Sequence, residues 1–539
     1  KFKENARILK KIKVYRGRVD FMFKNNPVLW NSIAISMLFV IFGIFFTDAM
    51  YEVATNILNF LLSHFGWFYL LSGFIFVAFL LLVAFSKYGN IRLGKDTDEP
   101  EYSTVSWIAM LFATGMGVGL VFWGVAEPVM FYDSPPYGDG QTAEAAIVGM
   151  RHVFFHWGIH PWAIYGVIGL VLAYFQFRKG LPGQISSTFY PILGDRIYGP
   201  AGKTIDTFAI FVTAIGVAST FGLSALQISA GLSNLYDIPN TLTTQLIIII
   251  IATTLFIISA TSGINRGIKI LSNLNIFIFL LLIIFIFLVG PTNKILNIFI
   301  TTLGGYMNEI IGMSLRLEPF NPDNQAWITG WTVFYWAWWT TWAPFVGSFI
   351  ARISKGRTIR QFIFGILFVP SLLSFIWFSA TGGTAIHLIH DLGQTFLLDR
   401  INTDIEAALF LFLEQFPFSS IVSVIVMVLL LLFFVTSADS ATVVLGMFSN
   451  NGDLNPLIRI KLIWGIIVSL AAVVFLLSGG LEAVKTFSIV VASPFTLIML
   501  LIIISLYKSI NKEFGYRKTS VLDKHAERNI LDSSKKESV

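Results

Sequence analysis

The sequence of 539 residues contains no cysteine. That excludes disulfides, thiolate metal centres and thiol nucleophiles, and leaves the compartment open. Charge is also scarce. Asp, Glu, Lys and Arg make up 13% of the residues, about half the share of an ordinary soluble domain. A chain so poor in charge is not expected to face water on all sides. The net charge of +6 is not read as a nucleic-acid footprint, because the basic residues sit in short loops and at both ends.

What the chain has instead is apolar residue, 55% of the total. Many uninterrupted runs reach the length of about 20 residues that a helix needs to cross a bilayer. Lipid cannot satisfy exposed backbone groups, so the spans must be helices. The expected class is an all-α, polytopic integral membrane protein. Twelve spans are predicted near 28–47, 66–86, 104–132, 146–177, 204–232, 242–260, 272–290, 327–353, 359–384, 418–446, 460–478 and 484–507. An even count places both termini on one side. Loops on that side carry fifteen Lys and Arg, and opposite loops carry four, Lys294, Arg316, Arg400 and Lys485. By the positive-inside bias, both termini are expected to be cytoplasmic. The basic stretch before the first apolar run is too long for a signal peptide.

Between the spans, 293–317 is too short and too interrupted to cross, and reads as an amphipathic helix at the outer interface. Residues 401–418 read similarly. The tail from Lys508 has mixed charge. Its basic residues near the membrane suit either contact with anionic lipid or a solvated tail that holds topology.

Two spans stand out. The third contains "GMGVG", Gly115 to Gly119, with glycine at alternate positions. Glycine in mid-helix costs roughly 1 kcal/mol relative to alanine. The run fits close helix packing and equally an unwound segment whose backbone faces a cavity or ligand. The eighth span contains "WTVFYWAWWTTWAP", Trp331 to Pro344, with five of the chain's 14 tryptophans. Each unusual span is followed by four more. That layout of two five-helix halves, each opening with an interrupted helix, is the layout of inverted-repeat transporters.

The aromatic residues converge. At about 100° per residue, Trp331, Trp338 and Trp342 fall within about 40°, with Trp339 about 60° further round. In "HWGIHPWAIY", where Pro161 is expected to break the ladder, Trp157, Trp162 and Tyr165 fall within about 140°. A quaternary ammonium group has no N–H to give a carboxylate. Ring faces attract it, at about 0.5–2 kcal/mol each. An interfacial belt would place one or two rings at each end of a span, not five through its middle. Glu127, Arg151, His156, His160 and Asp439 are ionisable groups in or near spans, read as gate pairs, capping partners or functional sites. His160, before a proline, is expected to satisfy a freed backbone carbonyl. In "FFVTSADSAT", Thr436 and Ser437 offer hydroxyls to a hard cation or back to their own helix.

Together "GMGVGLVFWGVAEP" (115–128), "HWGIHPWAIY" (156–165), "WTVFYWAWWTTWAPFVGSFIARISKGRTIRQF" (331–362) and "TSADS" (436–440) resemble the betaine/choline/carnitine transporter family. The resemblance implies a LeuT-type inverted repeat of ten helices preceded by two extra ones. The expected divisions are a basic N-terminus (1–27), the extra helices (28–103), the first repeat (104–290), the outer amphipathic helix (291–326), the second repeat (327–507) and a tail (508–539). It also implies a homotrimer in a bacterial plasma membrane. The family's aromatic box falls on Trp157, Trp162, Tyr165 and Trp339, with Trp338 and Trp342 lining the route. Gly115, Met116, Gly117 and Gly119 would meet the substrate carboxylate. A sodium site would use Ala113, Met116 and Phe433 through their carbonyls and Thr436 and Ser437 through their hydroxyls.

Two features then favour a sodium-coupled carrier of a zwitterion. Residues 207–236 lack the arginine that the family's sodium-independent exchangers carry there. Gly119 stands where choline-preferring members often have aspartate. A second sodium would want two threonines one turn apart on the fifth span, where this chain has Thr213 followed by Val217. The sequence-based expectation is a symporter that imports glycine betaine or a related trimethylammonium zwitterion with sodium, as an osmoprotectant. It has no catalytic residues, no cofactor beyond the coupling ion and no nucleic-acid partner. Choline, carnitine or proton coupling is the nearest alternative, and a channel or osmosensor a more distant one.

Overall fold

The computed structural model describes residues 26–115, 117–261 and 265–537. Every long element is a helix: α1 Pro27–Phe45, α2 Thr47–Phe85, α3 Thr104–Gly115, α4 Val118–Asp133, α5 Ala143–Trp157, α6 Ile159–Ala173, α7 Pro200–Tyr236, α8 Leu242–Thr261 and α9 Asn265–Val289. There follow α10 Thr292–Ser314, α11 Pro322–Ile353, α12 Ile359–Ala380, α13 Gly382–His390, α14 Thr395–Thr403, α15 Ala408–Leu413, α16 Ser419–Ser449, α17 Ile458–Leu477 and α18 Leu481–Glu537.

Helix covers all twelve predicted segments, and among the described residues ten stretches are long and apolar enough to cross a membrane. The two that fall short are informative. The third segment is cut into α3 and α4, of 12 and 16 residues, each too short alone. The eighth, α11, is 32 residues long, but its Trp, Tyr and Thr lower its hydropathy. Contrary to expectation, α11 runs unbroken through Pro344. The carbonyl that Pro344 leaves without its helical donor is that of Thr340, and the helix continues to Ile353 regardless.

Three further expectations change. The break in the fourth segment falls at Gly158, and Pro161 sits in the first turn of α6, where a missing N–H costs nothing. Residues 408–413 are fully buried rather than interfacial and pack against α4 and its neighbours. The predicted second span is only the latter half of α2, whose 39 residues extend about 58 Å. The expected amphipathic segment is present as α10, which lies on α5 and α12. Helix also continues past residue 508, as far as Glu537.

The core centres on α11, which lies along α6 and also meets α7 and α18. Glycines set that closeness. A Cβ on Gly347 of α11 would fall 2.9 Å from the Gly169 nitrogen of α6, so the two backbones touch as small-residue pairs allow. Helices α1 and α2 pack into this bundle, α1 on α7 and α17 and α2 on α6 and α18.

The only β-like pairing among the described residues joins two loops on one face. Arg92 bridges Thr358, with Leu93 N donating to Arg357 O at 2.9 Å, Gly356 N to Leu93 O at 2.8 Å and Ile359 N to Ile91 O at 2.9 Å. Arg92 adds bonds to the carbonyls of Asp98 and Gly356.

Candidate functional site

Helix α4 starts afresh after Gly117, and the N–H groups at its start lack the partners that a continuous helix would give them. Gly117 is extended there (φ −168°) and its side chain is only hydrogen. Opposite lie the Gly158 break and the middle of α11. Together they enclose a cavity of about 470 Å³.

The predicted residues meet there. Gly117, Gly119, Trp157, Trp162, Tyr165, Trp338, Trp339, Trp342, Phe433, Thr436 and Ser437 all line this one cavity. Gly115 closes α3 and Ala113 lies in its last turn; Met116 lies outside the described residues. The cavity continues past Trp342 to Phe349 on α11, Ala109 on α3 and Ser440 on α16, toward the face that carries the paired loops. On the opposite side the space is filled by rings. Trp331 meets Trp123 and Phe131 edge-on at 5.6 and 5.0 Å.

Within the cavity four rings form a chain of near-perpendicular contacts. Trp157 meets Trp339 at 4.9 Å and 76°, Trp339 meets Tyr165 at 6.0 Å and 81°, and Tyr165 meets Trp162 at 5.4 Å and 79°. Trp338 stacks on Trp339 at 4.8 Å and 23°. Rings set at right angles make walls rather than a pile, which is the shape that surrounds a rounded cation. The indole edges are tied down. Trp157 Nε1 donates to Glu127 Oε2 at 2.6 Å, Trp338 Nε1 to Ser219 Oγ at 2.9 Å and Trp339 Nε1 to the His156 carbonyl at 3.1 Å.

Sequence reasoning left the role of Glu127 open and missed Tyr335. Glu127 is fully buried in α4. It accepts from Trp157 and from the Tyr335 hydroxyl (2.7 Å), and its Oε1 meets His156 Nδ1 at 2.9 Å. His156 Nε2 in turn meets Thr332 Oγ1 at 3.0 Å. One carboxylate therefore connects α4, the end of α5 and α11 directly behind the aromatic walls. The signal available in the sequence was a carboxylate in mid-span and a tyrosine four residues from both Trp331 and Trp339. His160 differs from expectation. It bonds the Ser314 hydroxyl at 2.8 Å and stacks on Trp336 at 5.1 Å, with no backbone carbonyl involved. Asp439 accepts from Ser259 at 2.7 Å.

The polar end of the cavity is built by α16 and α9. Thr436 bonds back to the Leu432 carbonyl at 2.8 Å and also accepts from Asn275 Nδ2 at 3.0 Å. Asn275 Oδ1 is buried with no hydrogen-bond partner among the described residues, and Asn275 lines the cavity. On α7, Thr213 Oγ1 donates to its own helix at Ala209 O, 2.7 Å away.

The two glycines of α4's start differ. A Cβ on Gly119 would fall 2.7 Å from Trp338 Cη2 and 3.2 Å from Trp157 Cη2, whereas a Cβ on Gly117 meets nothing within 4 Å. Gly119→Ala is therefore expected to displace the walls, at about 1–3 kcal/mol, and to raise the KM for substrate about tenfold. Gly117→Ala is expected to leave it within about twofold. Concentration-dependent uptake by the two variants in parallel checks the contrast.

A bundle of apolar helices interrupted around one aromatic cavity, open toward one face and packed shut toward the other, is a multi-pass membrane transporter. The comparisons with known proteins agree. A profile of the betaine/carnitine/choline transporter family matches residues 27–515, and the chain belongs to that family. The glycine betaine transporter OpuD of Bacillus subtilis (strain 168) is 48% identical over 501 residues, 93% of this chain and 97% of that protein. The ectoine/hydroxyectoine transporter of Virgibacillus pantothenticus is 44% identical over 491 residues, 90% and 97% of the two chains. The high-affinity choline transport protein of Escherichia coli (strain K12) is 37% identical over 503 residues, 92% and 74%.

Proposed function

We propose that this protein is a sodium-coupled symporter that imports glycine betaine, or a related trimethylammonium zwitterion, for osmotic protection. One observation carries the reading. A single cavity brings the rings of Trp157, Trp162, Tyr165 and Trp339 together with the oxygen-rich end at Thr436 and Ser437. The rings suit a cation without N–H groups. The backbone N–H groups at the α3–α4 break suit a carboxylate. Gly119 leaves no room for an aspartate while Trp338 stays in place, so the site supplies no fixed anion at that position and favours a substrate that brings its own.

Sodium would sit between the α3–α4 break and α16, held by the carbonyls of Ala113, Met116 and Phe433 and the hydroxyls of Thr436 and Ser437, oxygen ligands of the kind hard cations take. Asn275 Oδ1 adds an oxygen beside Thr436. Thr213, bonded to its own helix, gives no support to a second ion. Ion binding would hold α3, α4 and α16 together and so favour the closed cage. The twelve helices would all span, with α3 to α18 forming a LeuT-type inverted repeat and both termini cytoplasmic. Helix α10 exposes Leu296, Ile300, Met307 and Ile311 along one face, an apolar surface suited to a homotrimer contact or to lipid. Anionic lipid would meet the basic residues of the tail.

The test uses purified protein in proteoliposomes. Labelled glycine betaine should accumulate with an inward sodium gradient and not when potassium replaces sodium. Unlabelled choline, carnitine and ectoine compete in turn. Strong choline uptake without betaine uptake would keep the cage and overturn the substrate. Accumulation driven by a proton gradient without sodium would overturn the ion. Thr436→Ala with Ser437→Ala is expected to raise the sodium concentration for half-maximal uptake at least about tenfold, since the pair supplies two of the ligands.

A further inference from the structure

On the closed side of the cavity the protein places its own lysine against the aromatic rings. On α11 the rings stack along the helix in two rows. Trp331, Tyr335 and Trp339 follow one another at 6.5 Å and 5.9 Å, with tilts of 21° and 29°. Phe334 and Trp338 lie parallel beside them at 5.7 Å and 11°. The spacing is four residues, so each ring lies one turn from the next. Both rows end in the box, at Trp339 and Trp338.

At the far end of both rows sits Lys485, in the first turns of α18. Its Nζ lies 4.6 Å from the Trp331 ring centroid and 5.9 Å from that of Phe334. Glu482 Oε1 accepts from the same Nζ at 3.0 Å. The Lys485 side chain is 16% exposed and that of Glu482 67%. The carboxylate therefore stands on the water side, and the ammonium on the ring side.

We propose that Lys485 is a tethered cation that selects substrate by net charge at the outer end of the aromatic path, a role that rests on the quaternary-ammonium reading of the cage. An ammonium on a ring face competes with any incoming cation for that face. A solute of net charge +1, such as choline, meets both the occupied ring and the ammonium's ring-facing side, since its paired Glu482 lies on the water side. A zwitterion meets the same charge with a carboxylate available to pair with it. The lysine therefore acts as a repulsive element against one class of ligand and an attractive one for the other, which is how specificity is commonly built. The rings alone would not separate the two, because both solutes carry the same trimethylammonium group.

The experiment compares the full-length protein with Lys485→Met and Lys485→Arg in proteoliposomes. It reads initial rates for labelled choline and glycine betaine, with tryptophan-fluorescence titration by both solutes as a binding readout. Lys485→Met should raise kcat/KM for choline about fivefold or more, while that for betaine stays level or falls. Lys485→Arg, which keeps charge and ring contact, should hold the wild-type ratio. A choline-to-betaine ratio unchanged in Lys485→Met, with wild-type betaine uptake intact, overturns the role of Lys485 and leaves the cage standing. A ratio lost equally in the Arg variant shows a packing role and also overturns it. Wild-type protein that neither binds nor carries either solute removes the cage reading itself, and this inference with it.

Discussion

Trp339→Leu should abolish substrate uptake, by about a hundredfold or more, in protein that still reaches the membrane at the wild-type level. Trp339 joins the rings of α11 to those of α5 and α6. It meets Trp157, Tyr165, Trp338 and Tyr335 within 4.8 to 6.0 Å. On the proposed reading, leucine removes one ring face offered to the substrate's ammonium group, worth about 0.5–2 kcal/mol. It also removes the edge contacts that stand Trp157 and Tyr165 upright, worth about 0.5–1.5 kcal/mol per aromatic pair. The wall and the two edge contacts together come to about 1.5–5 kcal/mol, a range that includes the roughly 2.7 kcal/mol that a hundredfold change requires. Folding should survive, because leucine suits an apolar interior and leaves no polar atom newly buried except the His156 carbonyl. Trp339→Phe, which keeps a ring, should retain measurable uptake. Equal transport by the Leu variant and the wild type would mean that the cation is held elsewhere.

The second large effect is expected at Glu127. Glu127→Leu deprives Trp157 Nε1, the Tyr335 hydroxyl and His156 Nδ1 of their acceptor at once. A buried polar group left without a partner costs about 1–3 kcal/mol, so the variant should lose several kcal/mol of stability and all uptake. Glu127→Gln is the informative companion. Its amide oxygen can accept from Trp157 and Tyr335, and its amide nitrogen can donate to a neutral His156. It should therefore recover most of the thermal stability of the detergent-solubilised protein and much of the uptake. Thermal melting with and without glycine betaine, beside uptake rates, separates the two variants. A Gln variant as defective as Leu would show that the negative charge, rather than the hydrogen-bonded geometry, holds the cage.

How much of this was legible in the sequence depends on the kind of interaction. The helices were, because a bilayer leaves the backbone no alternative, and the twelve predicted segments are all helical. The convergence of the aromatic rings was as well. Tryptophan in mid-span has few bland uses, and the rings named from the pattern line one cavity. Pro161 and Pro344 misled, since a proline breaks a helix only where its surroundings cannot absorb it. Pro161 lies in the first turn of a helix, and α11 runs on through Pro344. Residues 408–413 misled for a related reason. A short apolar segment has the same composition whether it lies on a membrane surface or is buried under α4. The Glu127 network was out of reach. Its partners come from residues 156, 157 and 335, and no local pattern tells which of the buried donors turns toward a given carboxylate. Lys485 was read only as one of four charges in the outer loops, although it lies on the face of Trp331.

The strand-like pairing of residues 91–93 with 356–359 bears on how the protein can change shape. It ties the connection between α2 and α3 to the turn between α11 and α12, through backbone bonds that ignore side-chain identity. Arg357 extends the tie to the Tyr102 carbonyl. The ends of four helices thus form one rigid joint at the face where the cavity opens. A machine with a welded corner flexes at its thinnest member, and here that member is Gly117, extended at the start of α4 with no side chain to brace it. Substitutions that stiffen Gly117 should slow the cycle without touching affinity, whereas substitutions in the joint should loosen the frame that it works against.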